Sequence, residues 1–409
     1  MRKTTNSMLN LNKHILLAFV YFIIAAFFGV LLRSFNAVEL PINYRFVVHT
    51  HSHIALLGWV YVVLTTLLYK LFLNKSELER KYRKLFLFTQ ITLVGMLLTF
   101  PFQGYALFSI IFSTLFLIAS YWFSWFFIKH TPINVKNLFS YKCIKWSLFY
   151  LVLSSIGPWA LGAIMTLLGP LSIWYRLAIY FYLHFLYNGW MLLTLIGFFF
   201  YVLEKNQIFI GEKNLKFFFW SLNIGIVLSF LLSTLWTEPL LIFNVIGALG
   251  AILQLGAFII FIYWFREPTM QVLEIFNPFQ KGILRTVVYL LVIKMVLQLL
   301  TSVPYFSMLV ANYLDFTIGY LHLTFLGVVT LSIFLFLDYF QIFKIAKVPY
   351  YIYLIAFLIT EMFIFYKGFA AWQKFSIFEN YHDVLALISF VIPVSLFLII
   401  VLREKIYTK

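Results

Sequence analysis

Twelve long apolar runs fix what this chain can fold into. A helix needs about 20 consecutive apolar residues to cross the hydrocarbon core of a bilayer. Hydrophobic residues make up 63% of the chain and charged residues 11%, against about a quarter charged in soluble domains. The runs predict spans near 14–33, 46–73, 85–101, 106–128, 145–168, 174–203, 217–236, 240–265, 285–303, 316–337, 349–366 and 384–402. We therefore expect an all-α polytopic membrane protein with about 12 transmembrane helices, a single transmembrane domain over residues 1–409 in a lipid bilayer.

The basic residues predict how the chain crosses the membrane. Of the 30 Lys and Arg residues, 24 lie in the termini and the even-numbered loops, whereas five lie in the odd-numbered loops. Under the positive-inside rule this asymmetry places both termini in the cytoplasm, and we expect a bacterial inner membrane. The net charge of +16 therefore reflects membrane orientation, because the sequence shows no compact basic face for nucleic acid.

The second predicted span opens with three histidines in five residues, within the stretch RFVVHTHSHIALLGW at 45–59. Hydrocarbon offers an imidazole no water, so each ring needs a partner from a metal, a cofactor or a polar cavity. At 100° per residue His49 and His53 share one face of a helix, while His51 points about 200° away. One face then holds a ligand pair, and His51 serves another pocket or bonds a neighbouring helix. Because Cys143 is the only cysteine, a metal site here would use histidine and oxygen ligands.

A short motif recurs around one histidine in each of spans two, six and ten. Glycine follows the histidine after five residues in HIALLGW, HFLYNGW and HLTFLGV, more often than eight histidines and 18 glycines would give by chance. The pairs are His53 with Gly58, His184 with Gly189, and His322 with Gly327. The spacing predicts three diverged four-helix units, about 14–128, 145–265 and 285–402, around a pseudo-threefold axis.

Twelve helices with histidines near the outer ends of helices two, six and ten resemble subunit I of the heme-copper oxidase and nitric oxide reductase superfamily. In that family, histidines of helices two and ten hold a low-spin heme, and a helix-six histidine belongs to a copper or non-heme iron site. The resemblance implies a heme ligand among His49, His51 and His53, a metal ligand at His184, and a helix-ten ligand at His322.

Smaller features extend this resemblance, and two departures limit it. Arg45, four residues before His49, matches an arginine of the family, and Tyr187 stands roughly where some members keep a tyrosine. The family has a histidine pair in helix seven, but residues 217–236 contain none, and Leu-Thr follows His322 in place of a second histidine. The binuclear centre is therefore incomplete, and full oxygen reduction is not expected. A looser likeness is to NnrS-type heme- and copper-containing membrane proteins, which are associated with nitric oxide stress.

Lys294 sits about midway along the ninth predicted span, with Gln298 one helical turn further on. A buried ammonium is costly unless it is paired or loses its proton. Lys294 therefore predicts a proton path or an anion contact, such as one to a heme propionate, with Tyr187 as a second candidate. The alternative is a lysine that faces a polar gap between helices.

These observations lead to three functional hypotheses. The first is a heme-binding membrane protein with heme b between helices two and ten, acting in electron transfer or in handling nitric oxide or oxygen, with respiratory subunits or an electron donor as partners. Imidazole suits iron, copper and zinc alike, so copper or another transition metal is a further expected cofactor. The second is a metal or proton transporter with His53, His184 and His322 as a three-histidine site. The third is an assembly factor for respiratory complexes, and whether the protein is an oxidoreductase stays open.

Overall fold

The computed structural model describes residues 10–73, 75–208, 210–264 and 273–403. The described residues are 86% helical and contain no strand, and among them 12 helices are long and apolar enough to cross a membrane. The helices are α1 (Leu11–Ser34), α2 (Tyr44–Leu73), α3 (Ser76–Gln103), α4 (Leu107–His130), α5 (Phe139–Leu167), α6 (Ile173–Lys205), α7 (Glu212–Thr237), α8 (Leu241–Tyr263), α9 (Pro278–Leu300), α10 (Leu314–Tyr339), α11 (Lys347–Gln373) and α12 (Tyr381–Val401). The prediction of an all-α polytopic membrane protein is confirmed.

The third helix differs most from its predicted bounds. It starts at Ser76, nine residues before the apolar run begins, and its first turn carries Glu77 and Glu79. Acidic residues near a helix N-terminus are stabilised by the exposed N–H groups and the helix dipole. At its other end the helix continues past Pro101 to Gln103. The charged residues before position 85 limited the predicted span, but they do not limit the helix.

The chain divides into two compact units. The first unit comprises Met1–Pro132, Phe336–Phe363 and Ile377–Lys409, and the second comprises Ile133–Leu335 and Ile364–Ser376. Helices α1 to α4 and α12 belong to the first unit, and α5 to α9 belong to the second. The single domain and the arrangement of three units around an axis stay predictions.

Three helices are far more buried than the others. In the most apolar window of α2, α6 and α10, 89%, 83% and 72% of the residues are buried, against 28–44% in the other nine helices. A helix that is apolar on all sides and enclosed by protein is a core element, not a lipid-facing one. These three helices carry the recurring histidine motif, so each copy of the motif lies on a helix that is largely buried in protein.

The same backbone change follows the motif histidine in all three helices. The regular α-helix ends at the histidine, and a π-helical segment follows it at Ile54–Tyr61 in α2, at Phe185–Met191 in α6 and at Leu323–Val329 in α10. A π-helix bonds residue i to residue i+5, which brings residues five apart toward the same side, whereas in an α-helix they lie about 140° apart. The five-residue spacing from histidine to glycine therefore corresponds to one π-helical turn.

Each π-helical segment also packs against the first helix of its predicted repeat. Helix α1 contacts Ile54–Tyr61, α5 contacts Phe185–Met191, and α9 contacts Leu323–Val329. π-Helical segments are rare, and they occur frequently at functional sites. Three such segments with the same sequence motif and the same neighbour support the internal repeat at the level of local structure.

A tyrosine of the first helix covers the motif glycine in the first two repeats. A Cβ atom at Gly58 would lie 2.8 Å from Cβ of Tyr21, and one at Gly189 would lie 2.5 Å from Cγ of Tyr150. A side chain in place of either glycine would therefore collide with the tyrosine, and close helix approach of this kind is what small residues permit in membrane proteins.

Both tyrosines then reach the third helix of their repeat. Tyr21 donates its hydroxyl hydrogen to Oε1 of Gln90 on α3, at 3.0 Å. Tyr150 donates to the backbone carbonyl of Asn223 on α7, at 3.4 Å. The tyrosine hydroxyl thus connects the first and third helices of both repeats. The ring of the same tyrosine packs against the glycine of the second helix.

Candidate functional site

The first cluster of candidate residues lies at the start of α2. The Asn43 side chain accepts hydrogen bonds from the backbone N–H groups of Arg45 and Phe46, at 3.0 and 3.3 Å. This is an N-cap, which satisfies N–H groups that have no partner within the helix. It fixes where the helix begins and hence which face each histidine takes. The Arg45 side chain is exposed, one turn before His49.

His53 has both ring nitrogens engaged. Its Nδ1 lies 2.8 Å from the carbonyl oxygen of His49, and its Nε2 lies 3.1 Å from the hydroxyl of Tyr105. A carbonyl oxygen only accepts hydrogen bonds, so Nδ1 carries the hydrogen and Nε2 holds the lone pair, to which the Tyr105 hydroxyl donates. His53 therefore presents a basic Nε2 toward Tyr105.

Tyr105 is held over the histidines by a tight turn between α3 and α4. Gly104 has φ 59°, a conformation that favours glycine, and a Cβ there would collide with the ring of Phe46 on α2. The Tyr105 ring meets the His49 ring at a centroid distance of 4.6 Å and an angle of 70°, and the Phe100 ring at 5.1 Å. We call His49, His53, Phe100 and Tyr105 the α2 cluster.

His51 lies on a different face of α2 from His49 and His53, as its helical angle predicts, and this face contacts α1. Its Nδ1 lies 2.8 Å from the carbonyl oxygen of Ala25, so this nitrogen also carries the hydrogen. A Cβ atom at Gly29, one turn from Ala25, would lie 3.1 Å from Cε1 of His51. The alternative in which His51 bonds a neighbouring helix is confirmed.

The second cluster lies within the second unit and includes His184. The His184 side chain is buried, with Nε2 2.8 Å from the carbonyl oxygen of Ile226 on α7 and Nδ1 3.3 Å from Nδ2 of Asn188. Nε2 therefore donates and Nδ1 accepts, which is the opposite tautomer to that of His53.

Lys294 sets this tautomer through Asn188. The lysine is 0% exposed, and its Nζ donates to Oδ1 of Asn188 at 2.5 Å and to Oε1 of Gln298 at 2.6 Å. Lysine has no acceptor in its ammonium form, so the oxygen of Asn188 must face Lys294 and its NH₂ must face His184. The direction of every hydrogen bond from Lys294 to Ile226 follows from that one constraint.

Two tyrosines complete the surroundings of the ammonium. Tyr320 donates to Oε1 of Gln298 at 3.3 Å, and Nζ of Lys294 lies 5.6 Å and 5.8 Å from the ring centroids of Tyr187 and Tyr320. Aromatic faces at this distance attract a cation. Among the described residues no carboxylate lies within 4 Å of this ammonium. We call His184, Asn188, Lys294, Gln298 and Tyr320 the Lys294 network.

The structure thus brings part of the predicted set together. His184, Tyr187 and Lys294 converge within the second unit, as do His49 and His53 within the first. His322 is half-buried at the last α-helical position before the π-helical segment of α10. The described residues contain no group of three or more His, Cys, Asp or Glu side chains that could hold a metal ion. Heme or metal ligation stays a prediction.

Sequence reasoning missed three residues of these clusters. Asn188 lies four residues after His184, where the other two motifs have Leu57 and Leu326, and this departure from the repeat was a usable signal. Tyr320 lies two residues before His322, and Tyr105 follows a loop glycine, with nothing in the sequence to point at either. His14, which belongs to neither cluster, is half-buried and stacks on Phe86 at a centroid distance of 3.5 Å.

Comparison with known proteins adds no family to this description, because the chain matches no protein-family model and no curated protein sequence. The functional argument therefore rests on the two clusters.

Proposed function

We propose that this is a heme-binding integral membrane protein that acts in electron transfer or in binding or reducing a diatomic gas, nitric oxide or oxygen. The observation that carries the proposal is the orientation of two histidines of α2. His51 and His53 each donate Nδ1–H to a backbone carbonyl, at 2.8 Å in both cases. Metal-ligating histidines have this arrangement, because it fixes the ring and makes Nε2 the basic nitrogen.

The candidate histidines differ in how well they suit heme iron. An axial imidazole ligand must offer a lone pair, and in His184 the Nε2 carries the hydrogen that Ile226 accepts. His184 therefore suits the Lys294 network better than an iron-bound role through Nε2. His51 and His53 have the tautomer that an axial ligand needs.

The protein's own contribution to such a site is orientation and shielding. The Ala25 carbonyl holds the ring of His51, and the Phe100 ring lies 4.5 Å from that of His53 and keeps one side of it apolar. Bound heme would supply one-electron chemistry and an iron atom for a gas ligand. With both termini cytoplasmic, the start of α2 would face the outer side, where a respiratory electron donor could reach it.

The test is a spectrum of the purified protein. Full-length protein from cells supplied with heme should show sharp reduced α and Soret bands with about one iron per chain, and His51→Ala should remove or shift them. His322→Ala tests whether α10 supplies a second imidazole ligand to the heme iron. The matched control is His130→Ala, because His130 also donates Nδ1–H to a backbone carbonyl, that of Phe126 at 2.9 Å, at the far end of α4. A folded protein without porphyrin absorption would contradict the proposal.

A second candidate function is proton transfer across the membrane, and the Lys294 network favours it. An intramembrane ammonium that is wholly buried without a carboxylate partner is uncommon and usually functional. In proteoliposomes with a trapped pH-sensitive dye, Lys294→Met should lower proton flux at least about tenfold, while Lys281→Met at the start of the same helix should leave it nearly unchanged. Equal flux in wild type, both variants and empty liposomes would contradict this function.

A further inference from the structure

We infer that His49, His53 and Tyr105 form a site for one divalent transition metal, Cu²⁺ or Zn²⁺, separate from the heme ligand. The inference deepens the proposed function and rests on it in one respect only, namely that His51 on the opposite face of α2 is left for heme. Under this assignment His49 and His53 bind the metal ion, and His51 binds heme.

The spacing of the first two ligand atoms carries the inference. Nε2 of His53 and the hydroxyl oxygen of Tyr105 are 3.1 Å apart. Two ligand atoms that each lie about 2.0–2.1 Å from one metal ion are about 2.9–3.4 Å apart at the angles of square-planar or tetrahedral coordination. A metal ion that lies to one side of the line between these two atoms can therefore bind both of them at the separation observed.

His49 supplies the third ligand. It lies one helical turn before His53 on the same face, and two histidines at i and i+4 of a helix form a well-known zinc-binding pair. Its ring contacts the Tyr105 ring at a centroid distance of 4.6 Å. Within the described part of the chain, no hydrogen bond engages its ring nitrogens, so metal binding at His49 breaks none there.

The surroundings prepare the site for a metal. The Nδ1–H of His53 is anchored on the His49 carbonyl, which orients the ring and raises the basicity of Nε2. The Gly104 turn holds Tyr105 in place, and the Phe100 ring closes the apolar side. Tyr105 lies in the turn between α3 and α4 and is 44% exposed, so a metal ion has an access path from outside the protein.

The donor set selects the class of metal. Two imidazoles and one phenolate combine borderline nitrogen ligands with an oxygen anion, which suits Cu²⁺ and Zn²⁺. As the metal–oxygen bond forms, the phenol O–H bond breaks and its proton passes to water, so binding releases one proton from Tyr105. Water completes the coordination.

The test is copper binding by the full-length protein after treatment with a chelator. Titration with Cu²⁺ should give one ion per chain, electron paramagnetic resonance lines split by two nitrogens, and a phenolate-to-copper absorption. Tyr105→Phe should abolish that absorption and weaken binding at least about tenfold, and His49→Ala or His53→Ala should remove the two-nitrogen pattern. His130→Ala should bind copper as the wild type does. Unchanged affinity and spectrum in Tyr105→Phe would overturn the inference, as would an equal loss in His130→Ala.

The outcome is separable from that of the heme proposal. Heme content is measured on the same samples, and Tyr105→Phe, which removes a single oxygen, should keep heme while it loses tight copper binding. Copper bound with these signatures in a protein without porphyrin would support the metal site and contradict the heme proposal. Heme present with no specific copper binding would do the reverse.

Discussion

The α2 cluster and the Lys294 network both place imidazole in a membrane helix, yet they satisfy it in opposite ways. In the Lys294 network the hydrogen bonds run between side chains on α6, α9 and α10 and end on the backbone of α7, and the ammonium is 0% exposed. In the α2 cluster the bonds are local to α2 and one loop, and Tyr105 is 44% exposed. The first is closed within the protein, whereas the second keeps ligand atoms at an exposed surface.

This difference predicts that substitutions in one cluster change the stability of the protein and those in the other change its ligand binding. In a buried network each group depends on the others, so removing one partner leaves a buried polar group or a charge without compensation. In a half-exposed cluster water replaces a lost partner, and the same change alters what the cluster can bind. We therefore expect the loss of a partner of the ammonium in the Lys294 network to lower folding stability, and substitutions in the α2 cluster to alter mainly what that cluster binds.

The largest effect is expected from Asn188→Leu, which copies the residue of the other two motifs. It removes a hydrogen-bond acceptor of the buried ammonium and the hydrogen-bond donor to Nδ1 of His184. A lost hydrogen bond to a charged group and a buried acceptor left unsatisfied together cost about 3–5 kcal/mol. Reversible unfolding in mixed micelles would measure the loss. Lys294→Met in the same chain removes the uncompensated charge and should recover at least about 2 kcal/mol.

The control for this pair of variants is Asn214→Leu, the same chemical change in the first turn of α7. The side chain of Asn214 makes no hydrogen bond within the described residues, so its replacement should change stability by no more than about 0.5 kcal/mol. If Asn188→Leu were as mild as this control, the closed character of the Lys294 network would be wrong.

An intermediate effect is expected from the motif glycines, which the two regions share. Gly189→Ala would place a methyl group 2.5 Å from Tyr150, whose hydroxyl is bonded to α7, so the ring cannot simply swing away. Overpacking of this kind costs about 1–3 kcal/mol. Gly58→Ala, at 2.8 Å from Tyr21, should cost somewhat less in the same unfolding measurement.

Gly162→Ala is the matched glycine control, because a Cβ there meets nothing within 4 Å. Alanine is favoured over glycine inside a helix by up to about 1 kcal/mol, so this variant should be neutral or slightly stabilising. A loss at Gly162 equal to that at Gly189 would mean that helix entropy, not contact with the tyrosine, governs all three sites.

The smallest effect on stability is expected from Tyr105→Phe. The variant removes one hydrogen bond to His53 at a site that water reaches, so the free energy of unfolding should fall by about 0.5–1.5 kcal/mol. The same variant should weaken copper binding at least about tenfold, which corresponds to about 1.4 kcal/mol or more. A loss of several kcal/mol would place Tyr105 in the structural core and remove the contrast between the two clusters.

The number, order and approximate bounds of the helices followed from apolar length alone, because the bilayer demands about 20 apolar residues from each span. The faces of His49, His51 and His53 followed from 100° per residue. The π-helical segments were not predicted. The five-residue spacing from His53 to Gly58 is that of a π-helical turn and could have indicated them.

The partners of the buried groups could not be predicted for a different reason. Lys294 meets Asn188 across 106 residues of sequence, and Tyr105 meets His53 across 52. Such pairings depend on how helices rotate about their axes, which uniformly apolar segments do not specify. Only where the repeat is broken, at Asn188, does the sequence point to a contact.

The Lys294 network also has a consequence for how the chain is made. An ammonium group that enters lipid alone meets the full cost of leaving water. Gln298 enters with it, one turn further along the same helix, and Asn188 was synthesised 106 residues earlier. Both of its described hydrogen-bond acceptors are therefore present when α9 enters the membrane, whereas Tyr320 follows 20 residues beyond the end of that helix. The order of synthesis thus makes hydrogen-bond acceptors available to the Lys294 ammonium when this group enters the membrane.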